Sequence, residues 1–131
     1  MSSPIRFAVI GTGHIGTRHA DIIVGHPAAK LVAVADTNPI AYTKYREAGI
    51  PCFNSIEAVL NCEEAFDVCS IASPNGLHAT HAIAALETGH HVVIEKPMAL
   101  TKVEADQVLA VANAVNKQVF CVMQNRYSPA S

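Results

Sequence analysis

The chain has 131 residues, of which half are hydrophobic and 15% are charged, with a formal net charge of −2. This size and composition suit one globular domain with its own core and exclude a disordered chain. Without a basic excess, nucleic acid and anionic membranes are poor partners, and the apolar runs are too short to span a bilayer. No secretory signal is recognisable at the start, so we expect a cytoplasmic protein.

Strand patterns alternate with helix patterns along the whole chain. The predicted strands are apolar on both faces, as buried parallel strands are; they are Arg6–Ile10, Leu31–Ala35, Phe66–Ile71, His91–Ile94 and Val119–Met123, with a short one near Pro51–Phe53. Helices are predicted at Ile15–Val24, from Asn38-Pro39 to near Gly49, at Ser55–Leu60, at Asn75–Glu87 and from Thr101 to about Val115. This alternation predicts an α/β domain with a doubly wound parallel sheet and right-handed crossovers.

The first predicted strand runs directly into a glycine-rich turn, Gly11-Thr-Gly13-His14-Ile15-Gly16, and a helical pattern follows. In a G-x-G-x-x-G turn the first glycine permits the tight turn, the second lets phosphates approach the main chain, and the third lets the helix pack on the strand. Free N–H groups at the start of the helix then hold the anion. This motif, in this strand context, predicts dinucleotide binding by a Rossmann-type domain.

Asp36 ends the second predicted strand, about twenty residues beyond the glycine turn, where a ribose-binding carboxylate is expected. Its charge would repel a 2′-phosphate, and Thr37 and Asn38 bring no positive charge to offset that repulsion. The sequence therefore favours NAD over NADP as the cofactor. The alternative is that Asp36 only caps a turn.

Two further polar clusters follow predicted strands, where open α/β sheets bind their ligands. The first is Ser73-Pro74-Asn75 with His78, although Asn75 could simply cap the next helix and His78 could be structural. The second is Glu95-Lys96-Pro97. A lysine at the end of a buried strand is costly without a partner or a task, and burial makes it a usable acid or base. An ordinary solvated turn is the alternative.

These clusters, in this order and spacing, resemble the family of glucose–fructose oxidoreductase, inositol dehydrogenase and MocA proteins. The match covers essentially the whole chain, as that family's N-terminal nucleotide-binding domain, and E-K-P combined with P-N-x-x-H is its specific part. The resemblance implies that Gly11, Gly13 and Gly16, with the His14 and Ile15 backbone, hold the pyrophosphate and that Asp36 binds the adenosine ribose. It also implies roles along the dinucleotide, toward the nicotinamide, for Ser73, Pro74, Asn75, His78, Glu95 and Gln124. Lys96 is implied to lie beside the nicotinamide ring, as a cofactor contact and as the catalytic lysine.

The same resemblance implies that residues 1–123 form the NAD(P)-binding domain and that 124–131 begin the connection to a second, substrate domain absent from this chain. The parent would be an NAD-dependent oxidoreductase, and a homo-oligomer, that acts on a hydroxyl of a sugar, cyclitol or nucleotide sugar. Val122–Arg126 is similar to the branch that oxidises the 3-hydroxyl of nucleotide-linked N-acetylated uronic acids. The alternatives are a non-catalytic NAD(H)-sensing regulatory domain and an NADP-dependent member.

The four cysteines, Cys52, Cys62, Cys69 and Cys121, form no C-x-x-C pair and have no histidine at metal-site spacing. We therefore expect free thiols, buried or half-buried, and no metal. Separation from a partner domain would expose an apolar surface near Val119–Met123, which predicts some self-association of this chain.

Overall fold

The computed structural model describes residues 3–95 and 99–122. Within them, six parallel strands form one sheet in the order β3-β2-β1-β4-β5-β6. The strands are β1 (Ile5–Ile10), β2 (Ala29–Ala35), β3 (Cys52–Phe53), β4 (Val68–Ile71), β5 (His91–Glu95) and β6 (Val119–Val122). The strand order reverses between β1 and β4, which confirms the predicted doubly wound sheet and places its ligand crevice at that reversal.

Helices connect these strands and cover both faces of the sheet. They are α1 (His14–Gly25), α2 (Thr43–Glu47), α3 (Ile56–Leu60), α4 (His78–Glu87) and α5 (Lys102–Val115). The helices predicted after Asn38 and from Asn75 are present, but each begins with a 3-10 turn, Pro39–Tyr42 and Asn75–Leu77, before α2 and α4. The tighter 3-10 turn is common at helix starts, and sequence periodicity does not distinguish it from the α-helix.

Two apolar layers explain why the strands lack polar alternation. Ala8 and Ile10 of β1 face a core shared with α3, α4 and α5, whereas Val9 faces the opposite side. On that side Val9 packs in a cluster with Ala20 of α1 and Tyr45 of α2. Since each face of a parallel strand meets a helical layer, neither face has room for exposed polar side chains.

The residues Thr101-Lys-Val-Glu104 form a capping box at the start of α5, with one difference from the usual arrangement. The Thr101 hydroxyl accepts a hydrogen bond from the Glu104 N–H at 3.1 Å. The Glu104 carboxylate reaches back to the N–H of Leu100, at 3.1 Å, rather than to that of Thr101. Both contacts satisfy N–H groups near the helix start, as the S/T-x-x-E pattern predicts.

The outer strand β6 leaves apolar surface exposed, as expected for this part of the sheet. The Phe120 side chain is 52% exposed, and Cys121 is exposed as well. The expectation that every thiol would be buried or half-buried was therefore wrong for Cys121. Its strand, β6, is the outermost strand of the sheet and has a neighbouring strand on one side only among the described residues. Met123 lies outside the described residues. No helix among the described residues is both long and apolar enough to cross a membrane.

Candidate dinucleotide-binding site

The carboxyl ends of β1, β2, β4 and β5 lie along one edge of the parallel sheet. Gly11 follows β1, Asp36 follows β2, Ser73 lies two residues beyond β4, and Glu95 ends β5. The structure thus gathers residues from all four polar clusters that the sequence singled out, at the edge where doubly wound sheets bind ligands.

Two glycines of the turn are required by the packing of the protein itself. Gly11 has φ +93°, and a Cβ there would lie 2.6 Å from the carbonyl oxygen of Ala72. A Cβ at Gly16 would overlap the Gly11 carbonyl oxygen. Gly13 differs, because a Cβ there would meet no atom within 4 Å. The first and third glycines let the strand, turn and helix pack together, while the second leaves open space above the main chain.

The start of α1 has no side chain that competes for its N–H groups. Gly13 occupies the N-cap position and no acidic residue lies in the first turn. The Thr17 N–H donates to the Gly13 carbonyl at 2.9 Å, which begins the regular helix. Unpaired N–H groups and the positive end of the helix dipole together form an anion-binding site.

Asp36 holds the glycine turn from the neighbouring strand. Its Oδ2 accepts hydrogen bonds from the Thr12 N–H at 2.7 Å and from the Thr12 hydroxyl at 3.2 Å. Its Oδ1 accepts one from the Asn38 N–H at 2.8 Å, which is the turn-capping role considered as the alternative. A carboxylate offers about four lone-pair sites, so these contacts leave capacity for a further donor such as a ribose hydroxyl.

A cavity of about 200 Å³ opens beside Asp36 at the ends of β1 and β2. Its lining includes Asp36, Glu57 at the start of α3, and His81 of α4, but no Lys or Arg among the described residues. The sequence analysis missed Glu57 because a carboxylate in the first turn of a helix is unremarkable. The cavity is therefore negatively charged near the predicted ribose site.

His78 and His81, on α4, both form hydrogen bonds with Ser73 in the loop after β4. His78 is 2% exposed, and its Nε2 donates to the Ser73 carbonyl at 2.7 Å. The Ser73 hydroxyl is hydrogen-bonded to His81 Nδ1 at 2.8 Å, and burial lowers the pKa of His81 below its ordinary value. The structure therefore favours the structural alternative for His78 over a direct cofactor contact, and adds His81, which spacing did not single out.

Glu95 at the end of β5 contacts a histidine, His19, that the sequence did not single out. Its Oε2 lies 2.7 Å from His19 Nε2, and His19 Nδ1 lies 2.8 Å from the Ser70 hydroxyl. All three side chains are largely buried, between α1, β4 and β5. The only sequence signal was that His19 lies three residues after Gly16, a spacing that carries no established meaning on its own.

Several predicted site residues lie outside what the structure describes. Lys96, Pro97 and Gln124 are not among the described residues, and the side chains of His14 and Asn75 are not described. No cluster of three or more His, Cys, Asp or Glu residues suited to a metal occurs within residues 3–95 and 99–122.

The order of the strands, the glycine turn and the carboxylate of Asp36 directly after β2 together define a Rossmann-type dinucleotide-binding domain. The chain belongs to the Gfo/Idh/MocA group, described as an oxidoreductase family with an NAD-binding Rossmann fold, whose model matches residues 5–123. This match confirms the resemblance found in the sequence.

Individual relatives agree with this assignment. D-glucoside 3-dehydrogenase of Escherichia coli is 33% identical over 97% of this chain and 37% of its own length. The solved structure of WlbA dehydrogenase from Chromobacterium violaceum, in complex with NADH and UDP-GlcNAcA, matches with a TM-score of 0.89 and 33% identity. That match covers 95% of this chain and 36% of the WlbA chain. The chain thus spans little more than a third of the length of these relatives.

Relatives differ in the cofactor that they use. An NADP+-dependent scyllo-inositol 2-dehydrogenase of Bacillus subtilis is 28% identical over 95% of this chain and 38% of its own length. An NAD+-dependent scyllo-inositol 2-dehydrogenase of the same organism is 32% identical over 80% of this chain and 31% of its own length. Family membership therefore establishes a nicotinamide dinucleotide site but leaves the choice between the two nucleotides to local charge.

Proposed function

We propose that this domain binds NAD and serves an oxidoreductase that moves hydride between nicotinamide and a hydroxyl-bearing sugar. The observation that carries the proposal is the bare N-terminus of α1, tied by Thr12 to the Asp36 carboxylate. This arrangement offers unpaired N–H groups to a pyrophosphate and an acceptor to a ribose, side by side.

The preference for NAD over NADP rests on charge. Asp36 and Glu57 both line the cavity beside the glycine turn, and no Lys or Arg among the described residues does so. A 2′-phosphate placed there would face two carboxylates without a compensating cation, and such like-charge juxtapositions cost several kcal/mol.

Along the dinucleotide we assign the predicted site residues from the adenosine end to the nicotinamide end. The cavity beside Asp36, which Ser73 and Pro74 also line, takes the adenosine, and the turn from Gly11 to Gly16 takes the pyrophosphate. The loop of Ser73, Pro74 and Asn75 leads from this cavity toward the nicotinamide end. His78 acts through that loop, because its ring donates to the Ser73 carbonyl. Glu95, Lys96 and Gln124 serve the nicotinamide end.

The bound nicotinamide supplies the redox step, accepting or donating the hydride. The chain contributes orientation and proton handling. Lys96 takes the proton of the reacting hydroxyl during oxidation and returns it in the reverse direction, as general base and then general acid. Glu95 holds the nicotinamide ribose near this lysine.

A nucleotide sugar is the substrate class that we favour. The WlbA structure contains UDP-GlcNAcA together with NADH. The similarity of Val122–Arg126 to the branch that oxidises the 3-hydroxyl of such sugars points the same way. Sugars and cyclitols remain within the proposal, because the relatives include a D-glucoside 3-dehydrogenase and two scyllo-inositol 2-dehydrogenases.

The test is a Lys96→Ala substitution in the intact protein that joins this domain to its substrate domain. If Lys96 transfers the proton, we expect kcat to fall by about 10²–10⁴-fold, while NADH affinity stays within twofold. Lys102→Ala is a matched control, since Lys102 pairs with Asp106 on exposed α5. Turnover at the unmodified rate in Lys96→Ala would contradict the catalytic role.

Tight NADH binding without turnover of any tested sugar in the unmodified protein would favour an NAD(H)-sensing domain instead.

A further inference from the structure

The pairing of His19 with Glu95 carries an inference that rests on the proposed function. His19 lies on α1, one helical turn beyond Gly16, and Glu95 ends β5, directly before Lys96 in the sequence. Their side chains are 16% and 12% exposed and approach to 2.7 Å. This contact joins the helix whose start receives the pyrophosphate to the strand that ends at the nicotinamide end of the site.

The chemistry of the three groups fixes the direction of the hydrogen bonds. An ionised carboxylate can only accept, so His19 Nε2 must carry a hydrogen and donate it to Glu95. His19 Nδ1 is 2.8 Å from the Ser70 hydroxyl, which can donate to a neutral ring or accept from a charged one. Ser70 is 2% exposed, so both ends of the ring are held in place.

Only one of the two carboxylate oxygens of Glu95 is used in this way. Among residues 3–95 and 99–122, Oε2 bonds to His19 and Oε1 makes no hydrogen bond. A carboxylate held by one oxygen keeps a defined orientation while the other remains able to accept. This is the arrangement by which histidine–carboxylate pairs orient a ligand-binding group.

We infer that His19 is a positioning residue: through its Nε2–H it orients the Glu95 carboxylate to accept a hydroxyl of the nicotinamide ribose. Ser70 fixes the ring of His19 from the opposite side. The adenosine and pyrophosphate contacts do not involve this pair, so its loss should weaken only the nicotinamide half of binding.

Two variants of similar size separate the two contacts of the histidine ring. In His19→Gln the terminal amide nitrogen reaches the place of Nε2 and keeps a donor for Glu95. In His19→Asn the shorter amide reaches only the place of Nδ1, so the contact with Ser70 can persist while that with Glu95 is lost. His26→Ala, at the far end of the same helix and exposed, is the control for removing a histidine.

The experiment measures the dissociation constants of this chain for NADH and for ADP, which lacks the nicotinamide half, with thermal unfolding recorded for each variant. We expect His19→Asn to lose about tenfold or more in NADH affinity, the order of one charge-assisted hydrogen bond, with ADP affinity within twofold. His19→Gln and His26→Ala should match the unmodified chain.

Each other result overturns a specific claim. Equal NADH affinity in His19→Asn and His19→Gln would contradict the positioning role, as would a parallel loss of NADH and ADP, which would indicate a general role in holding α1. If the unmodified chain binds NADH no more tightly than it binds ADP, Glu95 makes no contact with the nicotinamide ribose, and the inference is contradicted. If it binds neither nucleotide, the proposed function itself is contradicted.

Discussion

Single carboxylates at the ends of two strands have structural partners and, in our proposal, ligand contacts as well. Asp36 accepts hydrogen bonds from Thr12 and Asn38, and Glu95 accepts one from His19. In both cases unused lone pairs remain for a ribose hydroxyl. The protein thereby orients its binding groups before a ligand arrives, which reduces the ordering that binding would otherwise require.

Gly16 and Gly25 lie on the same helix and should respond oppositely to alanine. A Cβ at Gly16 would overlap the Gly11 carbonyl oxygen, so Gly16→Ala should lower the free energy of unfolding by about 1–3 kcal/mol. Gly25→Ala meets no atom within 4 Å and should raise it by about 0.4–1 kcal/mol. Urea unfolding of both variants measures this difference, and equal stability of the two would refute the packing role of Gly16.

The thiols should differ sharply in reactivity. Cys69 is fully buried, and burial raises the pKa of its thiol to about 12. Cys121 is exposed on the edge strand. Because the thiolate is the reactive form, a brief treatment of the folded chain with iodoacetamide should label Cys121 and leave Cys69 unmodified until the chain is unfolded. Peptide mass spectrometry gives the result, and early labelling of Cys69 would contradict its burial.

For single residues, the sequence predicted the roles that depend on the residue's own chemistry and missed the contacts that form only when distant parts of the chain pack together. The glycine turn and Asp36 are recognisable because backbone conformation and charge are properties of the residues themselves. The contact of Glu95 with His19 was not predicted, because the two residues are 76 positions apart and meet only when α1 packs beside β5. Ser70, which holds the other end of the His19 ring, is 51 residues from His19. His78 was ambiguous for the same reason.

Two of the α-helices, α3 and α5, begin with a side-chain cap, whereas α1, α2 and α4 have none. Ser55 caps α3, with its hydroxyl accepting from the Ala58 N–H at 3.1 Å, and Thr101 caps α5 in the same way. The starts of both helices were predicted from the sequence, because a capping hydroxyl and the backbone N–H that donates to it lie within one turn of each other. The 3-10 turns were not, because they differ from α-helix only in geometry.

Removal of the α5 cap should have a measurable cost. Thr101→Ala leaves the Glu104 N–H without its acceptor and should lower the free energy of unfolding by about 1 kcal/mol. Thr80→Ala, at an exposed position within α4, is the matched control and should be neutral or slightly stabilising, since alanine has the higher helix propensity. Chemical denaturation of the two variants tests this, and a Thr101→Ala variant as stable as Thr80→Ala would argue against the cap.

For the whole molecule, the doubly wound parallel sheet was predictable because this architecture follows from alternating strands and helices. The sequence did not locate the cavity beside Asp36, nor the second carboxylate that lines it, Glu57. Glu57 lies on α3, which comes to lie beside Asp36 only through the chain crossover that follows β3. The negative charge of the site is thus a property of the assembled fold.

The outer edge of the sheet should promote self-association. β6 pairs with β5 alone among the described strands, and Phe120 is 52% exposed on it. Phe120→Ser should therefore reduce association, whereas Ile40→Ser, 80% exposed on another surface, should not. Light scattering over a range of concentrations tests this. Strictly monomeric behaviour of the unmodified chain at high concentration would contradict the expectation.

The most direct test of the account is a calorimetric titration of this chain with NADH and with NADPH in the same buffer. NADH should bind more tightly than NADPH by about tenfold or more, because a 2′-phosphate would face Asp36 and Glu57. Tighter binding of NADPH would contradict the role given to these two acids, and binding of neither nucleotide would contradict the site itself.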